Sequence, residues 1–381
     1  MIRKLYMKPF VREFLRILLA ITISLGLGFI ITLLVSDDPV GAYQAFLTGP
    51  LTRINRTGEW IKETITLTLL GLSVALVFKA NLFSLGQEGQ MLLGALVSGS
   101  ISLFVPLPAI LRIPLALIAA MVVGYLFGAL PGYLKAHLNA NEIVSTLMLN
   151  AIALRLYDYF LIFHIKPEGA GYNASDFFPK EGILPTFIPN VPFLAEAYEL
   201  FSRRANITIM LYIAIAVVIL TWYVMYRTPY GYELRMLGAN SKFASYGGIN
   251  TKKTIVLAFA VSGIVSGLAG AHLGMGIHEK LIANITIGIA FEGIVVALLA
   301  RNNPIAVPFA ALAYGYLRAG ADIMERTSDV SREMVLVIQA IIILLVTAER
   351  VLPIIQQRVN AARANNNLSM NSEKPALEEG G

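Results

Sequence analysis

The chain has 381 residues, 56% of them hydrophobic and 14% charged, with a formal net charge of +6 and a mean hydropathy of +0.68. A soluble domain carries about a quarter charged residues; the charge-free runs 17–35, 207–226 and 334–347 account for the deficit and point to a polytopic membrane protein. The absence of cysteine excludes disulfides and thiolate metal sites, and His137, His164, His272 and His278 form no HExxH pair. The positive charge lies between apolar runs, as retention of cytoplasmic loops requires, and not in a nucleic-acid-binding patch.

The chain opens with Arg3, Lys4, Lys8, Arg12 and Arg16 ahead of the apolar run 17–35. That run exceeds the roughly 7–15 residues of a signal-peptide core and ends without an A-x-A site, which predicts an uncleaved first span. Further spans are expected at 64–78, 86–104, 115–134, 143–163, 207–226, 255–274, 285–300, 305–317 and 334–347. The expected fold is all-α: a transmembrane helical bundle of about ten spans over 17–347, with cytoplasmic segments 1–16 and 348–381 at its two ends. Spans well short of twenty residues are expected to be broken or re-entrant, or to have ends that hydropathy misplaces. The stretch 365–381 lacks apolar periodicity and is expected to be disordered.

Charge tests this arrangement. With the N-terminus inside, cytoplasmic loops and termini hold 17 Lys and Arg against 12 in the outer loops, and 7 acids against 14. The bias favours this orientation, with loop 227–253 cytoplasmic and the long loop 166–204 outside. Small residues recur at helical spacing: Gly124, Gly128 and Gly132, then Ser262, Gly263, Ser266, Gly267, Gly270 and Gly274. They predict close helix packing and no site.

Catalytic motifs are missing. There is no G-x-x-x-x-G-K-[ST] phosphate loop and no G-x-S-x-G elbow, so ATP-driven work would fall to another chain. A membrane enzyme would need catalytic polar groups clustered at one face, and an ion-coupled carrier would need a network of carboxylates. The ionisable residues within spans are Glu88, Arg155, Asp158 and Glu292. Arg155 and Asp158, three apart on one helix, are expected to pair. Glu88, flanked by Gln87 and Gln90, reads either as a carboxylate at a helix N-terminus or as a pathway residue.

The loop after the sixth span, residues 232–249, is too polar to cross a membrane and too long for a turn. It predicts one or two short amphipathic helices meeting near Gly238-Ala239-Asn240, with a bend that suits the permissive backbone of glycine. Here the chain resembles a known family. Arg235, Gly238, Asn240, Ala244, Tyr246, Gly248 and Ile249 follow the R-x-x-G-x-N-x-x-A-A-x-Y-A-G-I loop of branched-chain amino acid, simple-sugar and nucleoside ABC permeases, departing at Phe243 and Gly247. Three more segments are similar to that family in the same order: Asn81–Gln90, Asn141–Asn150 and Phe291–Pro304, the last two closest to its nucleoside branch.

The resemblance implies a non-catalytic permease of the bacterial cytoplasmic membrane that imports a small polar solute, a nucleoside first and a simple sugar or flavin-like vitamin second. It implies a second permease subunit, cytoplasmic ATPases that carry the ATP and Mg, and an extracytoplasmic binding protein, with no cofactor on this chain. The seven loop residues would couple to the ATPase. Glu88, Gln90, Asn150 and Glu292 are candidates for the translocation path.

Overall fold

The computed structural model describes residues 26–186, 196, 198–286, 288–331, 333–337 and 340–341. Among them the secondary structure is helical apart from two isolated bridges, Ala174 with Ile282 and Thr186 with Thr208. Contacts divide the chain into two units, residues 1–49 with 320–381, and residues 50–319. The helices in order are α1 (Gly26–Val35), α2 (Pro39–Thr52), α3 (Ile54–Lys79), α4 (Gln87–Phe104), α5 (Ala109–Leu138), α6 (Glu142–Phe160), α7 (Met210–Arg227), α8 (Pro229–Ala239), α9 (Ser241–Tyr246), α10 (Thr251–His272), α11 (Ile289–Leu299) and α12 (Val307–Thr327). The N-terminal half of the expected first span, most of the expected 334–347 span and both terminal segments lie outside the described residues.

In the first unit, Gly49 packs against Ile323 and Gly320 against the Phe46 carbonyl. Phe29 and Tyr43 meet edge to face at 5.2 Å. The Ser36 hydroxyl and the Asp37 N–H both donate to the Asp329 carboxylate, each at 2.6 Å, and hold its pKa below the usual carboxylate value.

The second unit is built on small residues. Here α5 and α10 form the most extensive helix pair. Gly124 and Gly263 each lie against the other's carbonyl, Gly267 against that of Ala120, and Gly128 against that of Phe259. Lipid gives apolar helices no hydrophobic reason to associate, so close backbone contact supplies the packing energy. The expected stripe of small residues therefore does the work it predicts. α4 joins by the same device, with Gly94 on the Gly267 carbonyl and Gly270 on that of Met91. The Ser73 hydroxyl of α3 bonds those of Ser262 and Ser266, each at 2.7 Å, which satisfies three polar groups inside the bundle.

Among the described residues, five helices are long and apolar enough to cross a membrane: α3, α5, α6 with its π-helical extension Leu161–Ile165, α7, and α10 with its extension Leu273–His278. α3 and α10 are mostly buried, whereas α5, α6 and α7 present apolar side chains such as Leu126, Ile152 and Ile219 outward. α3 starts ten residues before the expected span, because Arg56, Glu59, Lys62 and Glu63 belong to its first turns. The expected spans at 285–300 and 305–317 also differ. α11 has 11 residues, about 16 Å at helical rise, and so does not cross a core of roughly 30 Å. Arg301 and Asn302, both at φ 54°, then turn the chain, and α12 continues to Thr327.

The described part of the long loop 166–204 folds back on the end of α10. Ser175 and Phe178 N–H groups donate to the carbonyls of Leu281 and Glu279 at 2.8 Å, and Ala283 returns a bond to Asn173 at 3.0 Å. Tyr157 of α6 closes the layer through Ile282, its hydroxyl donating to the carbonyl at 2.9 Å.

Candidate functional site

Two short helices, α8 and α9, occupy the loop expected to couple. The Thr228 hydroxyl caps α8 by accepting from the Gly231 N–H at 3.2 Å, and Pro229 fills the first helical position, where no N–H is needed. α8 buries Leu234 and Leu237 against Val77, Ala80 and Leu82 on one side and Ala258 and Phe259 on the other. Fully burying each leucine contributes about 1.5–3 kcal/mol. Arg235 donates to the Met225 carbonyl at the end of α7 and lies 5.4 Å over the Tyr226 ring. Glu233 accepts from Thr254 of α10 at 3.2 Å. Burial raises the pKa of the Tyr230 phenol on this face, which keeps it neutral.

The bend between α8 and α9 is at Asn240, not at Gly238. Asn240 is extended, at φ −160° and ψ 108°, and its side chain caps α9 by accepting from the Phe243 N–H at 3.0 Å. Gly238 is helical and is needed for close approach, since a Cβ there would collide with the Lys79 carbonyl. Positive φ occurs instead at Gly248, 82°, where α9 is left. Of α9, Ala244 is buried and Ile249 half-buried, while Phe243 is 61% and Tyr246 89% exposed.

Lys79 begins the turn that carries the chain from α3 into α4. Along that turn Asn81 sits at φ 56°, Leu82 joins the cluster beneath α8, and Ser84 accepts from the Gly86 N–H at 3.2 Å. α6 clasps the far end of the turn. The Asn150 amide donates to the Leu85 carbonyl at 2.6 Å and accepts from the Gly89 N–H at 3.0 Å, and Thr146 accepts from the Leu85 N–H at 3.3 Å. A chain of direct contacts therefore runs from Gly238 through residues 79–89 to Asn150. Beside it lies a cavity of about 610 Å³ lined by Asn81, Lys135, His137, Glu142, Asn240 and Lys252, with Lys135 and Glu142 paired at 2.7 Å.

The structure thus places Glu88 and Gln90 on either side of Gly89, which Asn150 holds. Glu88 is half-buried in the first turn of α4, at the positive end of the helix dipole. Glu292 stands apart from them. It pairs with Arg318, which also reaches Glu63 at 3.5 Å, beside a second cavity of about 120 Å³ lined in part by Thr66 and His278. The expected Arg155–Asp158 pair does not form, because Arg155 points outward from α6. Gln87, unremarked in the sequence except as a neighbour of Glu88, is completely buried at the start of α4.

Residues 57–347 match the family described as the branched-chain amino acid transport system permease component. The chain belongs to that permease family. Three relatives cover nearly all of it. The guanosine ABC transporter permease of Bacillus subtilis is 32% identical over 91% of this chain and 97% of its own length. The nucleoside ABC transporter permease of Lactococcus lactis is 30% identical over 95% and 98%. The glucose ABC transporter permease of Haloferax volcanii is 32% identical over 87% and 86%. No solved structure matches. This permease is a multi-pass membrane protein, and its Arg235–Ile249 segment, one of those that carry the family resemblance, runs from within α8, which packs on the α3–α4 turn, through α9.

Proposed function

We propose that this chain is the membrane subunit of an ATP-driven importer that carries a nucleoside across the bacterial cytoplasmic membrane. The observation that carries this reading is near full-length similarity to permeases named for guanosine and nucleosides. The chain performs no covalent chemistry; ATP and Mg are held by partner ATPases on the cytoplasmic side. A second permease subunit and an extracytoplasmic binding protein complete the importer, which works by alternating access.

In this mechanism the ATPase meets α8 and α9 through the exposed rings of Phe243 and Tyr246, with Asn240 and Gly248 setting the shape of the knob. Arg235 and Ala244 anchor the knob to the bundle. Gly238 presses on Lys79, so a push on α8 moves the α3–α4 turn and loads the Asn150 clasp. Breaking two or three hydrogen bonds, each worth about 1 kcal/mol net, is within reach of an ATP-driven stroke. Glu88, Gln90 and Asn150 border the path, and the Glu292–Arg318–Glu63 cluster is structural. A sugar is the second reading, favoured by the similarity to the Haloferax permease.

Two measurements test this proposal. The first is uptake by the complex reconstituted with its ATPase, partner permease and binding protein. ATP-dependent uptake of labelled guanosine, competed by unlabelled nucleosides, is expected. Uptake of glucose without nucleoside competition would replace the nucleoside by a sugar. The second addresses orientation. Ser241 and Lys180 are exposed and the chain has no native cysteine, so Ser241→Cys and Lys180→Cys can be labelled individually in sealed vesicles. An impermeant reagent is expected to reach position 241 only from the cytoplasmic side and position 180 only from the outside. Reversed labelling would invert the topology.

A further inference from the structure

We infer that Gln87 and Gln90 form a recognition pair for the solute at the α6 clasp, reading a neutral molecule by adjacent hydrogen-bond donor and acceptor groups. This rests on the permease reading above and adds to it the residues that select the solute.

The inference starts from an anomaly. Gln87 is 0% and Gln90 1% exposed, yet neither amide atom of Gln87, nor Oε1 of Gln90, has a hydrogen-bond partner among the described residues. Buried polar groups are nearly always paired, and each exception needs a reason. The reason is not a shortage of neighbours. Asn150 uses both its amide atoms on Leu85 and Gly89, Thr146 bonds Leu85, and Ser84 bonds Gly86. Every one of these side chains around the start of α4 is satisfied except the two glutamines.

Two properties fit these amides to a solute. Gln87 and Gln90 are three apart on α4, so their side chains share one face. Together they offer two unpaired carbonyl acceptors and one unpaired amide donor, all without charge. That set complements the edge of a nucleobase or a carboxamide, which carries donor and acceptor side by side. The amides also sit where the proposed stroke arrives. Leu85 and Gly89, the residues Asn150 holds, flank Gln87 along the chain, so movement of the clasp shifts the turn that carries it. The closed clasp leaves the amides unpaired, and a passing solute pairs them.

The test uses the full complex with its ATPase, partner permease and binding protein. Gln87→Met and Gln90→Met keep the length of the side chain and remove the amide. Two readouts are taken for each: the melting midpoint in detergent, and kcat/KM for uptake of guanosine and of purine riboside, which lacks the exocyclic donor and acceptor groups. The expected result is an unchanged or raised midpoint, because an unpaired buried amide has been removed. Guanosine uptake should fall by about tenfold or more, with a smaller fall for purine riboside, since a site built to hydrogen-bond a group discriminates against its absence. Unchanged guanosine uptake by both variants would overturn the inference and leave the amides to buried water. An equal fall for both solutes with a lowered midpoint would also overturn it, in favour of a packing role. If the wild-type complex carries a sugar, the nucleoside reading fails alone. The same variants are then compared on that sugar and its deoxy analogues, by the same criterion.

Discussion

Gly263→Val is expected to leave little folded permease in the membrane. The Gly263 Cα lies against the carbonyl of Gly124, and the contact is reciprocal, so a side chain at either position meets backbone and not a flexible neighbour. Adjacent contacts repeat the constraint, with Gly267 on the Ala120 carbonyl and Gly128 on that of Phe259. The helices can relieve a valine only by separating, which gives up close packing along the largest interface in the second unit. Over-packing with nowhere to relax costs about 3 kcal/mol or more, which corresponds to a fall in melting midpoint on the order of 5 °C or more. The measurement is the midpoint and yield of purified protein, compared with Gly171→Val. Gly171 has nothing within 4 Å of an added Cβ, and its substitution should change stability by less than about 0.5 kcal/mol. A Gly263→Val protein as stable as the Gly171→Val control would show that α5 and α10 do not pack as described.

Gly238→Val is expected to break coupling while the protein stays folded. Its Cβ would strike the Lys79 carbonyl, and the C-terminal end of α8 can tilt off the α3–α4 turn while Leu234 keeps its place in the cluster and the Gly124–Gly263 contact of α5 and α10 is untouched. What is lost is the contact that, in the proposed mechanism, passes motion from α8 to the Asn150 clasp. Coupling free energies of about 1–3 kcal/mol correspond to roughly 5–150-fold in the coupled property. Solute uptake per ATP hydrolysed should fall within that range, while ATP hydrolysis by the assembled complex persists and the midpoint stays near that of the wild type. Asn240→Asp keeps an oxygen to cap α9 and should transport nearly normally. Normal uptake by Gly238→Val would remove the Gly238–Lys79 contact from the mechanism.

These two glycines differ in how far they could be read in advance. Gly263 belongs to a stripe repeated at helical spacing, and the repeat alone predicts close approach to another helix. Gly238 looked like a hinge because it neighbours Asn240. Its partner is Lys79, far away in sequence, and periodicity carries no information about such a contact. The pair of short helices between α7 and α10 was legible, since polar residues alternate there with apolar ones over too short a length to cross a membrane. Their relation to Leu85 and Asn150 was not.

Local composition by itself determined that the chain is helical, membrane-embedded and held together by small residues, because each of those properties depends on neighbours within one or two turns. Family motifs likewise lie along the chain. Tertiary structure alone decided where charge is tolerated. Hydropathy ended the expected 305–317 span before Arg318, yet α12 continues through it because Glu63 and Glu292, distant in sequence, neutralise the guanidinium. Hydropathy likewise started α3 late, since Glu63 looks soluble until Arg318 comes to meet that turn. The site followed the same rule. A glutamine in a sequence has no state of satisfaction; Gln87 became a candidate only when the fold buried it and assigned the hydrogen bonds around it to other residues. The physical reason is common to all three cases: the cost of a polar group in a membrane is set by what the fold brings within hydrogen-bonding distance, not by its neighbours in the chain.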